Sequence, residues 1–278
     1  MHLADDAGQE ESIWRPIAKH ASTFMLPLAV IVILGATWEA LSKLGFANTF
    51  FFPPPSTLAR TFVELVNEGF PDGVLLHEHV IATVQRSLFG FLLAISLAIP
   101  LGLVIGYFRW FELITRHLIT FGRSIAPLSV LPIFVVFFGI GEVSKVSLVA
   151  FACFWATITN TIAGVSLVDK MYLRAARSMD TPRGALFWTV ILPAALPRIF
   201  AGLKVSLAIS FMVIVAAEMI ATVYGLGTLI NEARTWFRTD ITMVGMAVIA
   251  LIGFVASLGL DRLERRLLPW SAYVRRDQ

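Results

Sequence analysis

Long runs without a charged residue constrain this chain more than any other feature. The stretches Ser87 to Phe108, Val146 to Val168 and Ile241 to Leu260 contain no Asp, Glu, Lys or Arg. A helix needs about 20 residues to cross ~30 Å of hydrocarbon, and only helices or closed barrels satisfy their backbone groups there. The runs lack the period-two alternation of a barrel strand, so the predicted class is an all-α polytopic membrane protein. Composition agrees: 15% of the residues are charged, against ~25% in a soluble domain.

Six transmembrane helices are predicted, at Ser22 to Ser42, Ser87 to Phe108, Ser124 to Gly141, Val146 to Val168, Ile199 to Val223 and Ile241 to Leu260. They form one permease-like domain over residues 22–260, between an N-terminal segment, 1–21, and a C-terminal tail, 261–278. The third span is short and carries Pro127 and Pro132, so it should be bent or broken. The first 20 residues mix acids and bases without a signal peptide's cleavage pattern, and the first span is read as retained.

Lysine and arginine set the orientation, because they concentrate on the cytoplasmic side. With the N-terminus inside, that side holds Arg15, Lys19, Arg109, Arg116, Arg123, Lys170, Arg174, Arg177, Arg183, Arg198 and the arginines beyond Leu260. The outer side holds Lys43, Arg60, Arg86, Lys145, Arg234 and Arg238. Both termini are therefore expected in the cytoplasm. Basic residues at span ends, rather than along one exposed face, argue against a nucleic-acid partner.

The outer segment from Lys43 to Ala82 opens with "FFPPPSTLARTFVELVNEG". Ser56 can cap a helix in which Leu58, Phe62, Leu65 and Val66 share one face. "HEH" at His77 to His79 has too few ligands for a metal site and reads as a solvated loop. Gly102 and Gly106 form a small-xxx-small pair that serves packing within the chain or contact with another subunit. Cys153 reads as a small core residue.

Between the fourth and fifth spans, residues 170–198 are unusually polar. "DKMYLRAARSM" suits a short amphipathic helix, "DTP" a turn in which Asp180 or Thr181 caps and Pro182 opens the next helix. Pro193 and Pro197 should then break or kink the chain before the fifth span. The passage resembles the "EAA" loop of importer-type ATP-binding-cassette permeases. Ala175 and Ala176 match its alanines, Asp180 falls at its glycine, Val190 at its isoleucine, and Leu192 with Pro193 at its closing pair. Arg174 stands where the family has glutamate, and Asp180 replaces a residue that usually takes a left-handed turn, which Asp tolerates.

"FFPPPS", "FFGIGEVSK", "ILPAALPRIFAGLKVSLA", "VAAEMI", "YGLGTLI" and "LERRLLPW" extend the resemblance over nearly the whole chain. They point to the branch serving nitrate, bicarbonate, aliphatic sulfonates and taurine, leaning to taurine. The resemblance implies a type I importer permease in a bacterial cytoplasmic (inner) membrane. It also implies a second permease copy, as in a homodimer, two ATPase subunits that bind ATP and Mg, and an extracytoplasmic solute-binding protein. No G-x-x-x-x-G-K-[ST] loop occurs in the chain, so hydrolysis is assigned to those partners and no cofactor to this chain. Arg174, Ala175, Ala176 and Asp180 become the expected docking surface, with Leu192 and Pro193 as its connection.

Ionisable or polar groups inside spans mark pathways or interhelical bonds. Glu218 is expected to have a structural or gating role, while Thr157, Asn160 and Thr161 are offered as path-lining groups. Glu39 and Lys204 should snorkel or pair. An ion-coupled secondary transporter is the alternative, although internal repeats are missing. A membrane enzyme would need convergent catalytic residues, and none is recognisable.

Overall fold

The computed structural model describes residues 29–30, 32–45 and 48–270. The segment 1–21, the start of the first predicted span and the end of the tail lie outside the described residues. Residues up to Val63 and residues from Glu64 onward form two compact units.

In the first unit, residues 32–43 form helix α1. Glu39 pairs with Lys43 at 2.6 Å and accepts hydrogen bonds from the Ser56 amide and hydroxyl at 3.1 and 2.8 Å. These bonds tie α1 to the start of α2, Pro55–Asn67. The apolar stripe expected on α2 is split: Thr61 and Leu65 are buried, whereas Phe62 and Val66 are exposed. A helix rotated toward the Thr61 side explains the difference, since 61 and 65 stack four apart.

The second unit contains α3 (Leu76–Tyr107), α4 (Arg109–Ser124), a 3₁₀ turn (Pro127–Val130), α5 (Leu131–Phe138) and α6 (Glu142–Ser166). It continues with α7 (Lys170–Ser178), α8 (Arg183–Leu186), a π-turn (Phe187–Ile191), α9 (Leu192–Ala221), α10 (Leu226–Thr235) and α11 (Thr239–Leu267). Among the described residues, four helices are long and apolar enough to cross a membrane, and the count reaches five when α4 and the segment of the 3₁₀ turn and α5, bent by 87° at their break, are taken as one span.

Helix α6 lies between α3 and α9 and packs along both. Glycines set the α3–α6 seam. A Cβ on Gly90 would lie 2.6 Å from the Val149 side chain, one on Gly102 2.7 Å from Thr161, and one on Gly106 2.8 Å from Val165. The rising numbers on both sides show that α3 and α6 run parallel. The Gly102–Gly106 pair thus serves packing within the chain. On the other side Gly202 faces Asn160, Ser206 faces Cys153 and Thr157, and Gly164 faces Ala195, so α9 runs antiparallel to α6. Cys153 is buried and donates to the Ser206 carbonyl at 3.2 Å.

Parallel α3 and α6 require the chain to return between them, and α4 through α5 makes that return. The predicted third span covers only its second half. Arg109, Glu112 and Arg116 gave α4 the look of a loop, yet charges on one face are compatible with a helix. The break follows from Pro127: the preceding Ala126 is extended, with ψ of 120°, as a residue before proline must be.

Three further boundaries differ from expectation. Helix α3 starts at Leu76, so His77, Glu78 and His79 form its first turn rather than a solvated loop. Glu78 accepts from the Leu75 amide at 3.0 Å, and His79 is fully buried. Helix α11 runs past Leu260 to Leu267, within the predicted tail, and presents Asp261 and Glu264 to Lys204 of α9, both at 2.5 Å. Pro193 and Pro197 do not interrupt the fifth span. Instead the π-turn precedes Pro193, with the Leu192 amide donating to the Phe187 carbonyl, so wider pitch absorbs the missing donor and the ring's steric demand.

Gly102→Leu should lower the unfolding temperature of the detergent-solubilised chain by wedging α3 from α6, at a cost of about 1–3 kcal/mol. Gly253→Leu, where a Cβ meets nothing within 4 Å, should leave it unchanged; equal melting of the two variants would refute the seam.

Candidate functional site

The polar groups of the second unit gather at the two ends of α9 and around a cavity beside its middle.

At the α10 end of α9, Glu218 is 1% exposed. Its carboxylate accepts from Thr83 Oγ1 at 2.8 and 3.0 Å, from Arg86 Nη1 at 2.7 Å and from the Gly227 amide at 3.0 Å. Arg86, equally buried, also donates through Nη1 to the Tyr224 carbonyl at 2.8 Å and through Nη2 to Glu142 Oε1 at 2.7 Å, and lies 5.1 Å over the Tyr224 ring. Its Nε donates to the other oxygen of Glu142, the first residue of α6, giving a bidentate pair. Lys145 stands 3.5 Å from the same carboxylate.

The loop between α9 and α10 is fixed by neighbouring groups. Gly225 takes a φ of +147° and a Cβ there would strike the Glu218 carboxyl, so glycine is required. The Leu226 amide donates to Thr83 Oγ1 at 2.8 Å. His79 completes the arrangement, with Nε2 2.9 Å from the Phe70 carbonyl and Nδ1 3.0 Å from the Gly225 amide. Nδ1 also lies 2.9 Å from the Gly225 carbonyl, so the ring bridges the Phe70 and Gly225 segments. One clamp thus joins α3, α6, α9 and α10. Among the described residues no group of three His, Cys, Asp or Glu side chains is placed to hold a metal.

At the other end of α9 lies the α7–α8 knuckle. Asp169 caps α7 by accepting from the Met171 amide at 2.8 Å. At the far end, the Thr181 amide donates to the Ala176 carbonyl and the Asp180 amide to Arg177, with Asp180 at φ 51°. This is the Schellman arrangement, in which glycine is usual at the left-handed position. Arg174, Ala175 and Asp180 are exposed. Ala176 is 9% exposed and packs into the core, turned away from the exposed Ala175, because helical geometry sets consecutive residues 100° apart. Leu192 and Pro193 open α9 directly behind the π-turn, and Met171, Tyr172 and Met179 extend the exposed face.

Between the two ends is a cavity of about 800 Å³, bounded by the α4–α5 break, α6 and α9. Asn160 lines it, together with Trp155, Thr159 and Met212. Thr157 and Thr161 do not. Thr157 is bonded to Ser206 at 2.7 Å, and Thr161 faces Gly102 and bonds the Thr157 carbonyl, because residues 157 and 161 share the face of α6 turned to its neighbours. Glu218 does not line it either. Sequence reasoning missed Arg86, whose position near a span end gave it only a topological role, and Trp155, which looked like one more apolar residue.

Residues 98–271 match the family model described as "Binding-protein-dependent transport system inner membrane component". The chain is 35% identical over 263 residues to the taurine transport system permease protein TauC of Escherichia coli, covering 94% of each. It is 32% identical over 246 residues to the putative aliphatic sulfonates transport permease protein SsuC of Bacillus subtilis, covering 88% of this chain and 86% of the relative. Its fold resembles a chain of the inward-facing MetNI methionine ABC transporter, with a TM-score of 0.60 at 15% identity over 69% of this chain and 95% of that one.

Glu218→Leu leaves Arg86 with one carboxylate instead of two and should cost about 3–5 kcal/mol, read as a fall in thermal unfolding in detergent. The pair Arg86→Met with Glu218→Leu should lose less than the sum of the single changes. Strict additivity would mean that the two side chains do not interact.

Proposed function

The chain belongs to the family of binding-protein-dependent transport system inner membrane components, and from that premise we propose that it forms the membrane path of an ATP-driven importer for a small sulfonate, with taurine first. It is an integral-membrane permease component of an ABC transport system. The substrate follows from the relatives named for taurine and aliphatic sulfonates; nitrate and bicarbonate are secondary candidates. In the proposed assembly, two copies of the chain receive solute from an extracytoplasmic binding protein, and two ATPase subunits, carrying ATP and Mg, dock on the cytoplasmic side. Both termini then face the cytoplasm, the side favoured by the remaining basic residues once Arg123, at the inner end of α4, is set apart from the count.

The observation that carries the reading is the knuckle. A capped nine-residue helix, α7, exposes Met171, Tyr172, Arg174 and Ala175, and Met179 directly after it is exposed as well. It leads through α8 and the π-turn into α9 without interruption, so that Gly184–Ile220 is one helical span. Residues 170–198 act as the coupling loop. Ala175 offers close approach to a partner cleft, Arg174 supplies positive charge in place of the family's acid, and Asp180 holds the turn. Leu192 and Pro193 pass movement into α9, and Ala176 anchors the knuckle to the bundle. Solute passes along the cavity face of α6 and α9, beside Asn160, while Glu218 keeps the outer end closed as part of the clamp. Thr157 and Thr161 hold α6 against its neighbours. Alternating access comes from rigid-body motion of the two bundles. The ion-coupled alternative finds no support in the family.

Ala175→Trp should leave thermal stability within about 0.5 kcal/mol but lower binding-protein-stimulated ATPase activity at least tenfold in the reconstituted complex. Ala176→Trp should unfold the knuckle instead, since that side chain has no room. Full coupling in Ala175→Trp would remove α7 as the docking element. ATP-independent uptake of taurine driven by an ion gradient would reject the importer reading outright.

A further inference from the structure

We propose that Arg123, the Trp155 indole N–H and the Asn160 amide form an anion-selecting site at the α4–α5 break, taking the sulfonate or a similar singly charged oxyanion group of a small solute. The proposal deepens the importer reading and rests on it for the direction of transport, though not for binding.

Depth is the first observation. A Cβ on Gly122 would collide with the Trp155 ring, and Trp155 lies near the middle of α6, Glu142–Ser166. Contact at that level places the end of α4, and Arg123 next to Gly122, midway along a helix that spans the bilayer. A cation at that depth is costly unless it meets a counter-charge or water.

The second observation is the lack of a counter-charge. Arg86, Lys145 and Lys204 each have a carboxylate within 3.5 Å, whereas Arg123 has no ion pair or hydrogen bond to any described residue. Among the described residues no carboxylate lines the cavity onto which it opens. A guanidinium presents up to five donors in a planar fork that matches an oxyanion. Carboxylates nearby would repel such a ligand and occupy the fork; their exclusion from the lining suits an anion.

Trp155 supplies the third. Its Nε1 is buried and has no hydrogen-bond partner among the described residues, a state that costs free energy until an acceptor reaches it. Asn160 uses one amide hydrogen on the Ala156 carbonyl at 2.9 Å and keeps the other. Arg123, Trp155 and Asn160 therefore all line one cavity, in which Met212 and Val213 give apolar surface for a short aliphatic stem. The extended residues at 125 and 126 create the space by ending α4 there.

The full chain in lipid nanodiscs, with 5-fluorotryptophan replacing tryptophan, provides a fluorine resonance identified by its disappearance in Trp155→Phe. Ethanesulfonate should shift this resonance saturably, ethyl methyl sulfone, which is uncharged, should not, and Arg123→Gln should abolish the response while Arg123→Lys retains part of it. No response to ethanesulfonate, an equal response to the sulfone, or an undiminished response in Arg123→Gln overturns the site. If Arg123→Gln does not fold, the two ligands on the unsubstituted chain decide. In proteoliposomes with ATPase and binding protein, Arg123→Gln should reduce taurine uptake by about tenfold or more with stimulated ATPase activity within about twofold of the unsubstituted complex. Joint loss of both would make Arg123 a structural residue and overturn the proposal. A fluorine response without ATP-dependent uptake would reject the importer reading and leave the site standing.

Discussion

The buried pair of Arg86 and Glu218 holds together segments that otherwise have little reason to meet. Taking two ions out of water costs several kcal/mol each, and their attraction offsets this only when remaining donors and acceptors are also satisfied. Here they are: the carboxylate accepts from Thr83 and the Gly227 amide, and the guanidinium also reaches Glu142 and the Tyr224 carbonyl. No single helix supplies these partners, so the bonds form only when α3, α6, α9 and the α10 loop are assembled in one register. Dispersion along the glycine seams favours close packing but tolerates sliding. The clamp selects the position.

Apolar runs announced α3, α6, α9 and α11, because lack of charge is a property of composition and survives any rotation of the helix. The knuckle was legible for a different reason. Asp180 and the paired alanines are local signals, and the bonds that close α7 at Asp180 lie within a few residues. Rotation and long-range pairing were not legible. Arg86 and Glu142 are 56 residues apart, and nothing near either names the other. Thr157, Asn160 and Thr161 look interchangeable in sequence, yet only Asn160 borders the cavity. Helix α4 escaped notice because hydropathy averages a charged face with an apolar one.

Proline shows how context changes a local rule. Alone, Pro193 and Pro197 predict a break; in the folded chain their cost is met upstream by the π-turn and downstream by a helix packed on α6. Pro127 has no such support and does break the chain. The same residue type therefore produces a continuous rod in one place and an opening in the membrane's middle in another, which is where the proposed anion site lies.

The rod has a mechanical consequence. Gly184–Ile220 has 37 residues and a length of about 55 Å, with the α7 knuckle at one tip and the Glu218 clamp near the other. Its central contacts, Gly202 on Asn160 and Ser206 on Thr157, provide a natural fulcrum. Rocking by about 5° on that fulcrum displaces each tip by about 2 Å in opposite senses, comparable to the reach of one hydrogen bond. Such a lever needs no bending of α9 to trade a shift at the knuckle for separation of Glu218 from Arg86. Its mechanical advantage is close to unity, so the clamp's strength sets the force required at the opposite tip.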